Sequence, residues 1–318
     1  VNILIKAASL MEYQAFGCRI QSTIPLPELS DSQTSAQVNS SRNPAPVSIS
    51  ITDLLPIWSA EVKPGETWVV RGSSVMFNVP DVAVFRIEEG VSIHVSPVPE
   101  CDPGKIRLYV LGTCMGILLL QRGILPLHGS AVAIDGKAYA IVGHSGAGKS
   151  TLATVLLNMG FQLLSDDVIP LVLAHDHTAI IFPSYPQQKL WQDSMDKLGM
   201  NGDGCQPLFD REQKFAVPVQ SRFRHEPMPL GGVFELVCDE SGPGIQAVEG
   251  LERFHTLLRH TFRRSVMEQM GLMEWHFGML VRFVNQLPVH RIVRPSSAFT
   301  ALDLGSLLLQ TIRKEKIS

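Results

Sequence analysis

The chain has 318 residues, 45% hydrophobic and 18% charged, which is enough apolar sequence to bury a core and enough length for two domains or one large one. Its net charge of −3 argues against a general binder of nucleic acid or membrane surfaces, because neither polyanion is attracted to the protein as a whole. The five cysteines (Cys18, Cys101, Cys114, Cys205, Cys238) lack C-x-x-C spacing, so neither a disulfide framework nor a zinc site is indicated; they read as reduced, mostly core thiols of a cytoplasmic protein.

The apolar stretch 1–10 has no charged start or cleavage pattern of a signal peptide, so export is not expected. Residues 12–100 then read as short strands at 13–20, 47–51, 67–71, 74–79, 82–88 and 91–95, rich in β-branched and aromatic residues and separated by Gly, Pro, Asn or Asp. They predict a small antiparallel β domain over 1–101, with a mobile Ser/Gln/Asn/Pro loop at 31–46. A helix follows, with Asp102 as N-cap, Pro103 at its first position and Gly123 as its left-handed stop. Its apolar run 108–120 is too short to span a membrane and is flanked by Arg107 and Arg122, so it reads as a buried core helix of the second domain, 102–318.

Two strand-like runs, 131–134 and 137–142, flank Asp135-Gly136, the signal of a type I′ hairpin. Pairing Ile134 with Lys137 carries the ladder down until His128 stands opposite Gly143. There the strand enters Gly143-His144-Ser145-Gly146-Ala147-Gly148-Lys149-Ser150, with Thr151 next, a match to the phosphate-binding pattern G-x-x-x-x-G-K-[ST] between a strand and a helix. Its glycines allow several N–H groups to point at one phosphate, while the helix behind adds its positive end. Lys149 would reach the β- and γ-phosphates and the Ser150 hydroxyl would hold Mg²⁺. Nothing in such a loop distinguishes ATP from GTP.

The helix from Ser150 ends at Gly160, and 161–164 reads as a strand parallel to the one before the loop. Its C-terminal end, Ser165-Asp166-Asp167, therefore lies on the same sheet edge as the phosphate loop. A carboxylate there can bind Mg²⁺, directly or through water, or accept a proton from an attacking hydroxyl. Further on, 187–198 reads as a helix with Lys189 and Lys197 as possible contacts, 215–219 and 231–237 as strands, 251–262 and 265–285 as helices, 289–293 as a strand and 297–312 as a last helix. Among the arginines of 250–294, Arg259, Arg263 and Arg264 are candidates for neutralising a transferring phosphoryl group.

Leu127-His128-Gly129, the hairpin, the phosphate loop and Leu164-Ser165-Asp166-Asp167, in that order, resemble the catalytic core of HPr kinase/phosphorylase. The resemblance implies an α/β (α+β) fold, with a P-loop domain of HPr kinase-like type behind a smaller β-rich domain. It further implies Asp166 as the general base with His128 oriented against it, and Lys149 and Ser150 as phosphate and Mg²⁺ ligands; beside them, Asp167 is read from its place at the sheet edge as a metal ligand through water. HPr kinases carry a glycine-containing acidic signature downstream, where this chain has Tyr185-Pro186 and Lys189-Leu190-Trp191. Together with Tyr13-Gln14-Ala15-Phe16-Gly17 and Leu26-Pro27-Glu28-Leu29, that region is more similar to the HPr-kinase-related serine kinases that modify lasso peptide precursors at their C-terminal serine. The expectation is a cytoplasmic, ATP- and Mg²⁺-dependent serine kinase with a peptide substrate and a possible homo-oligomeric state. HPr kinase/phosphorylase proper, a small-molecule kinase and a non-catalytic nucleotide-binding scaffold are its alternatives.

Overall fold

The computed structural model describes residues 9–29, 45–63, 65–200, 202, 205–208, 213–239, 242–296 and 298–315, so the loop expected at 31–46 lies outside the described residues apart from Ala45 and Pro46. The chain forms two compact units, Val1–Pro126 with Phe262–His276, and Leu127–Thr261 with Phe277–Ser318. The division falls after Pro126, where the sequence suggested 101, because the helical run that follows Asp102 packs on the first unit's sheet.

In the first unit, β1 (Met11–Ala15), β2 (Cys18–Ser22), β3 (Val47–Ile51), β4 (Trp68–Arg71), β5 (Ser74–Val79), β6 (Ala83–Glu88) and β7 (Ser92–Pro97) form one sheet in the order β1-β2-β3-β7-β6-β5-β4. The strand expected at 13–20 is a hairpin, turned at Phe16 and Gly17, both with left-handed φ. The sheet is mixed and not antiparallel, since β3 runs parallel to β2 and β7. Long connections before and after β3 free it from hairpin geometry. A short helix, α1 (Leu55–Glu61), buries no residue, which is why no apolar periodicity announced it.

The Asp102 carboxylate accepts a hydrogen bond from the Gly104 N–H at 2.7 Å and starts α2 (Pro103–Tyr109); a π turn (Val110–Cys114) leads into α3 (Met115–Gln121), and the chain leaves through Gly123 at φ 69°. The run Pro103–Gln121 is long and apolar enough to cross a membrane by length and composition alone, yet 67% of its apolar window is buried within the protein. Phe262 lies so close to Gly116 that a Cβ there would meet its ring at 2.4 Å, which ties the segment Phe262–His276 to this unit.

The second unit is built from β8 (Leu125–Ile134), β9 (Lys137–Val142), α4 (Lys149–Asn158), β10 (Gln162–Leu173), β11 (Ala179–Ile181), β12 (Gln187–Trp191), α5 (Gln192–Lys197), β13 (Gln206–Pro207), β14 (Lys214–Pro218), β15 (Met228–Cys238), β16 (Gly244–Ala247), α6 (Leu251–Arg259), most of α8 (Met273–Val284), β17 (Val289–Arg294) and α9 (Ala301–Glu315); α7 (Arg264–Gln269) belongs to the first unit. Its main sheet has the order β11-β10-β8-β9-β15-β17-β16, and β12-β14-β13 form a small sheet of their own. The hairpin has the register counted from sequence, Ile134 to Lys137 through Gly129 to Val142, with left-handed φ at both Asp135 and Gly136. Strand β15 is parallel to β9, and β11 is antiparallel to both β10 and β15, so β10 runs in the same sense as β9. Helix α4 covers this sheet with Leu152 and Leu156, which pack with Leu304 and Leu308 of α9.

The structure differs from three of these expectations. The helix expected at 187–198 is β12 followed by α5, because Gln187 to Trp191 pair with β14. The helix at 265–285 is broken at Gly271, whose φ of 73° ends α7. The strand expected to end before Asp166 continues to Leu173, so both acids lie inside it. All five cysteines are free, but only Cys18 and Cys114 are buried.

Candidate active site

The site forms where β9 ends and α4 begins. A Cβ on Gly143 would stand 2.5 Å from the Leu236 carbonyl oxygen of β15, so the loop's first position admits only glycine. Gly148, at φ 104°, then starts α4. Lys149 is buried and curls over its own loop, its Nζ donating to the Gly143 and His144 carbonyls at 2.9 and 3.0 Å. Burial pushes its ammonium pKa down; Asp166 and Asp167 oppose that shift and Lys214 adds to it.

The Asp166 carboxylate is buried and held by neutral donors. Its Oδ1 accepts from the Ser130 hydroxyl at 2.5 Å and the Ser150 hydroxyl at 3.0 Å, and its Oδ2 accepts from the Lys189 N–H at 2.8 Å. Asp167 is held by a lysine and a histidine. Its Oδ2 meets the Lys189 ammonium at 2.6 Å, and its Oδ1 lies 3.4 Å from His128 Nδ1, which also approaches the Asp167 carbonyl at 3.0 Å. Burial alone would raise the Asp167 pKa, but the Lys189 ammonium and the His128 ring hold it well below the usual carboxylate range. Asp167 also has φ 75°, a left-handed backbone inside a strand, a conformation that costs energy and clusters at functional sites.

The site residues predicted from sequence thus meet, with one difference. His128 faces Asp167 and not Asp166, because the backbone reversal at Asp167 brings that carboxylate to the β8 side. Thr151 donates to the Ser194 hydroxyl of α5 at 2.9 Å, and so ties α4 to α5. His144, Ser145 and Gly146 are exposed on the loop, with the His144 ring edge-on to His260. The candidate arginines are engaged elsewhere: Arg259 pairs with Glu235 and Glu252, Arg264 with Glu268, and Arg263 donates to Thr113 and lies over Trp68. Lys197 pairs with Asp193 on the surface of α5.

Two contributors, Ser130 and Glu235, are not singled out by the sequence, and a third, Lys189, is singled out but expected on the wrong element. Ser130 follows Leu127-His128-Gly129 and is placed by the hairpin register, which was legible. Lys189 was read on a helix, yet on β12 it holds both acids, Asp166 by its main chain and Asp167 by its side chain. Glu235, level with Val142 in the parallel pair β9–β15, is the buried centre of an ion cluster with Arg259, His260 and Arg291. Burial would raise its pKa, but hydrogen bonds from His260 and Arg291 bring it down to about 2.

Among the described residues no group of three or more His, Cys, Asp or Glu forms a metal cage. Mg²⁺ bound with a nucleotide takes one or two protein oxygens and completes its shell with phosphate and water. The Ser150 hydroxyl fits that demand, since it donates its proton to Asp166 while its lone pairs stay available.

No family model matches the chain. Among curated proteins, the HPr kinase/phosphorylase of Mycoplasmopsis pulmonis (strain UAB CTIP) is 40% identical over 67 residues, which are 20% of this chain and 22% of that protein. The matched segment is HPr kinase/phosphorylase-like. The chain spans only about a fifth (22%) of that relative's length. Among solved structures, the Hpr(Ser) kinase/phosphatase from Coxiella burnetii aligns over 60% of this chain and 98% of its own, at 16% identity and a TM-score of 0.33.

Proposed function

We propose that this protein is a nucleotide-dependent serine kinase that transfers a γ-phosphoryl group to the hydroxyl of a peptide serine, with the C-terminal serine of a lasso peptide precursor as its acceptor. The observation that carries the reading is the joining of the phosphate loop to the acid pair, through the hydrogen bond from Ser150 to Asp166. A loop that only holds nucleotide has no use for two further carboxylates, a histidine and a buried lysine at its mouth. The partial likeness to HPr kinase/phosphorylase supports phosphoryl transfer. The peptide acceptor rests on the Tyr185-Pro186 and Lys189-Leu190-Trp191 region and on the motifs near the N-terminus.

In this mechanism the amides of residues 143–148 and Lys149 bind the β- and γ-phosphates, and Lys149 exchanges its two carbonyl partners for phosphate oxygens. Ser150 would hold Mg²⁺, which when bound would neutralise phosphate charge. Asp166 orients the acceptor hydroxyl and takes its proton, its carboxylate held in place by the Ser130 hydroxyl and the Lys189 N–H. Asp167, kept ionised by Lys189 and His128, contributes its negative charge to metal binding through water.

The test is intact-mass spectrometry of a lasso precursor peptide ending in serine, incubated with the protein, ATP and Mg²⁺, with HPr in a parallel tube. One added phosphate on the peptide, lost when its last serine becomes alanine, is the expected result. Phosphate on HPr alone transfers the reading to HPr kinase/phosphorylase. Bound nucleotide with neither acceptor modified removes the peptide claim.

A further inference from the structure

We infer that Arg294 is the positioning residue of the phosphate loop, a clamp that sets the loop's amides for phosphate before any nucleotide arrives. The inference rests on the reading of residues 143–150 as a nucleotide phosphate site. Arg294 ends β17, two strands away from β9, and reaches back to the loop. Its Nε donates to the Ala147 carbonyl at 2.7 Å and its Nη2 to the Gly146 carbonyl at 3.3 Å, while Nη1 donates to the Pro295 carbonyl at 3.2 Å. The guanidinium is thus spent on main-chain oxygens and has no acidic partner in these contacts.

The consequence follows from peptide geometry. A peptide unit is planar and trans, so the carbonyl of one residue and the N–H of the next point in opposite directions. Fixing the Ala147 carbonyl on Arg294 therefore turns the Gly148 N–H to the other side of the loop, at the start of α4, where a phosphate sits in such loops. The clamp is needed because Ala147 stands between Gly146 at φ 82° and Gly148 at φ 104°, two residues whose backbones rotate freely. Without Arg294 the peptide planes on either side of Ala147 would sample both orientations, and nucleotide binding would have to order them. The Ala147 N–H donates to the His144 carbonyl at 3.1 Å, which closes the loop from within but leaves the Ala147 carbonyl to the arginine. Sequence position gave no hint of this role, since Arg294 lies 145 residues from Lys149 and was one of seven arginines in its region.

The experiment is calorimetric titration of ADP and of ATP into the wild-type protein, Arg294→Met and Arg294→Lys, with thermal unfolding of each nucleotide-free protein. A clamp acts on the loop as a whole. Arg294→Met should therefore weaken ADP and ATP alike by about tenfold or more, with the nucleotide-free melting temperature within about 2 °C of wild type. Arg294→Lys keeps the charge but loses the planar fork, so it should fall between them, and it carries the same test if the methionine variant does not fold. Unchanged ADP affinity in both variants overturns the inference, and so does a loss confined to ATP, which would put Arg294 on the γ-phosphate itself. Wild-type protein that binds neither nucleotide overturns the phosphate-site reading, and the clamp with it.

Discussion

Replacing Lys189 by methionine removes the cation from Asp167 while keeping most of the side chain's apolar stem. The two groups meet at 2.6 Å, with side-chain exposures of 9% and 24%. An exposed pair contributes about 0–1 kcal/mol, but breaking a buried one costs about 3–5 kcal/mol, because the remaining charge is left without compensation. Asp167 keeps His128 at 3.4 Å and is 24% exposed, which places the expected loss between the two ranges, at about 2–3 kcal/mol. Urea unfolding with unchanged m-value is the assay, and the midpoint should move to lower urea. The Lys189→Met, Asp167→Asn double variant should recover at least part of the loss, since no lone charge remains. The pH profile adds a second readout. A carboxylate with a depressed pKa contributes stability that is present above its ordinary value of 3.8 and is lost as pH falls through the lowered one. In Lys189→Met burial is less opposed, so the Asp167 pKa moves up towards its ordinary value and the loss of stability on acidification below pH 3.8 becomes smaller than in the wild type. The contact from the Lys189 N–H to Asp166 is main-chain and survives. A single variant within about 0.5 kcal/mol of wild type, with an unmoved pH profile, would refute the view of Lys189 and Asp167 as a buried pair.

Under the proposed function, in which Lys149 binds the β- and γ-phosphates, Lys149→Ala should damage nucleotide affinity and turnover together; normal turnover in that variant would mean that the loop is not a working phosphate site. Glu235 has its pKa lowered from 4.5 to about 2, so its contribution, about 3 kcal/mol, is complete above pH 4.5 and disappears as pH falls towards 2. Melting curves between pH 6 and pH 2 should therefore be flatter for Glu235→Gln, which is also less stable at pH 6 because Arg259 and Arg291 lose their shared buried partner. Parallel curves would show that the cluster does not couple folding to protons.

The centre of this molecule was legible because its signals are local and strict. The Asp135-Gly136 turn fixes a register that can be counted, the glycines mark the loop, and Asp102 and Gly123 mark the ends of the helical run. What was not legible depends on long-range pairing. The run from Gln187 to Trp191 carries polar residues at helical spacing and becomes a strand only because β14 lies beside it. The approach of His128 to Asp167 follows from one left-handed residue inside β10, which no composition announces. The parallel placement of β3 needs partners far away in sequence.

Under the proposed function the acid pair performs phosphoryl transfer and does not merely decorate a nucleotide site. Asp166→Asn tests it most directly. The amide preserves size and can still accept from Ser130 and Ser150, although its NH₂ would oppose the Lys189 N–H, at a cost of about 1–3 kcal/mol that an unfolding curve will report. With the folded variant in hand, ATP affinity and peptide phosphorylation are measured side by side. ATP affinity should stay within about tenfold of wild type while transfer falls by at least about a hundredfold. Transfer at the wild-type rate would remove Asp166 from the chemistry and contradict the account.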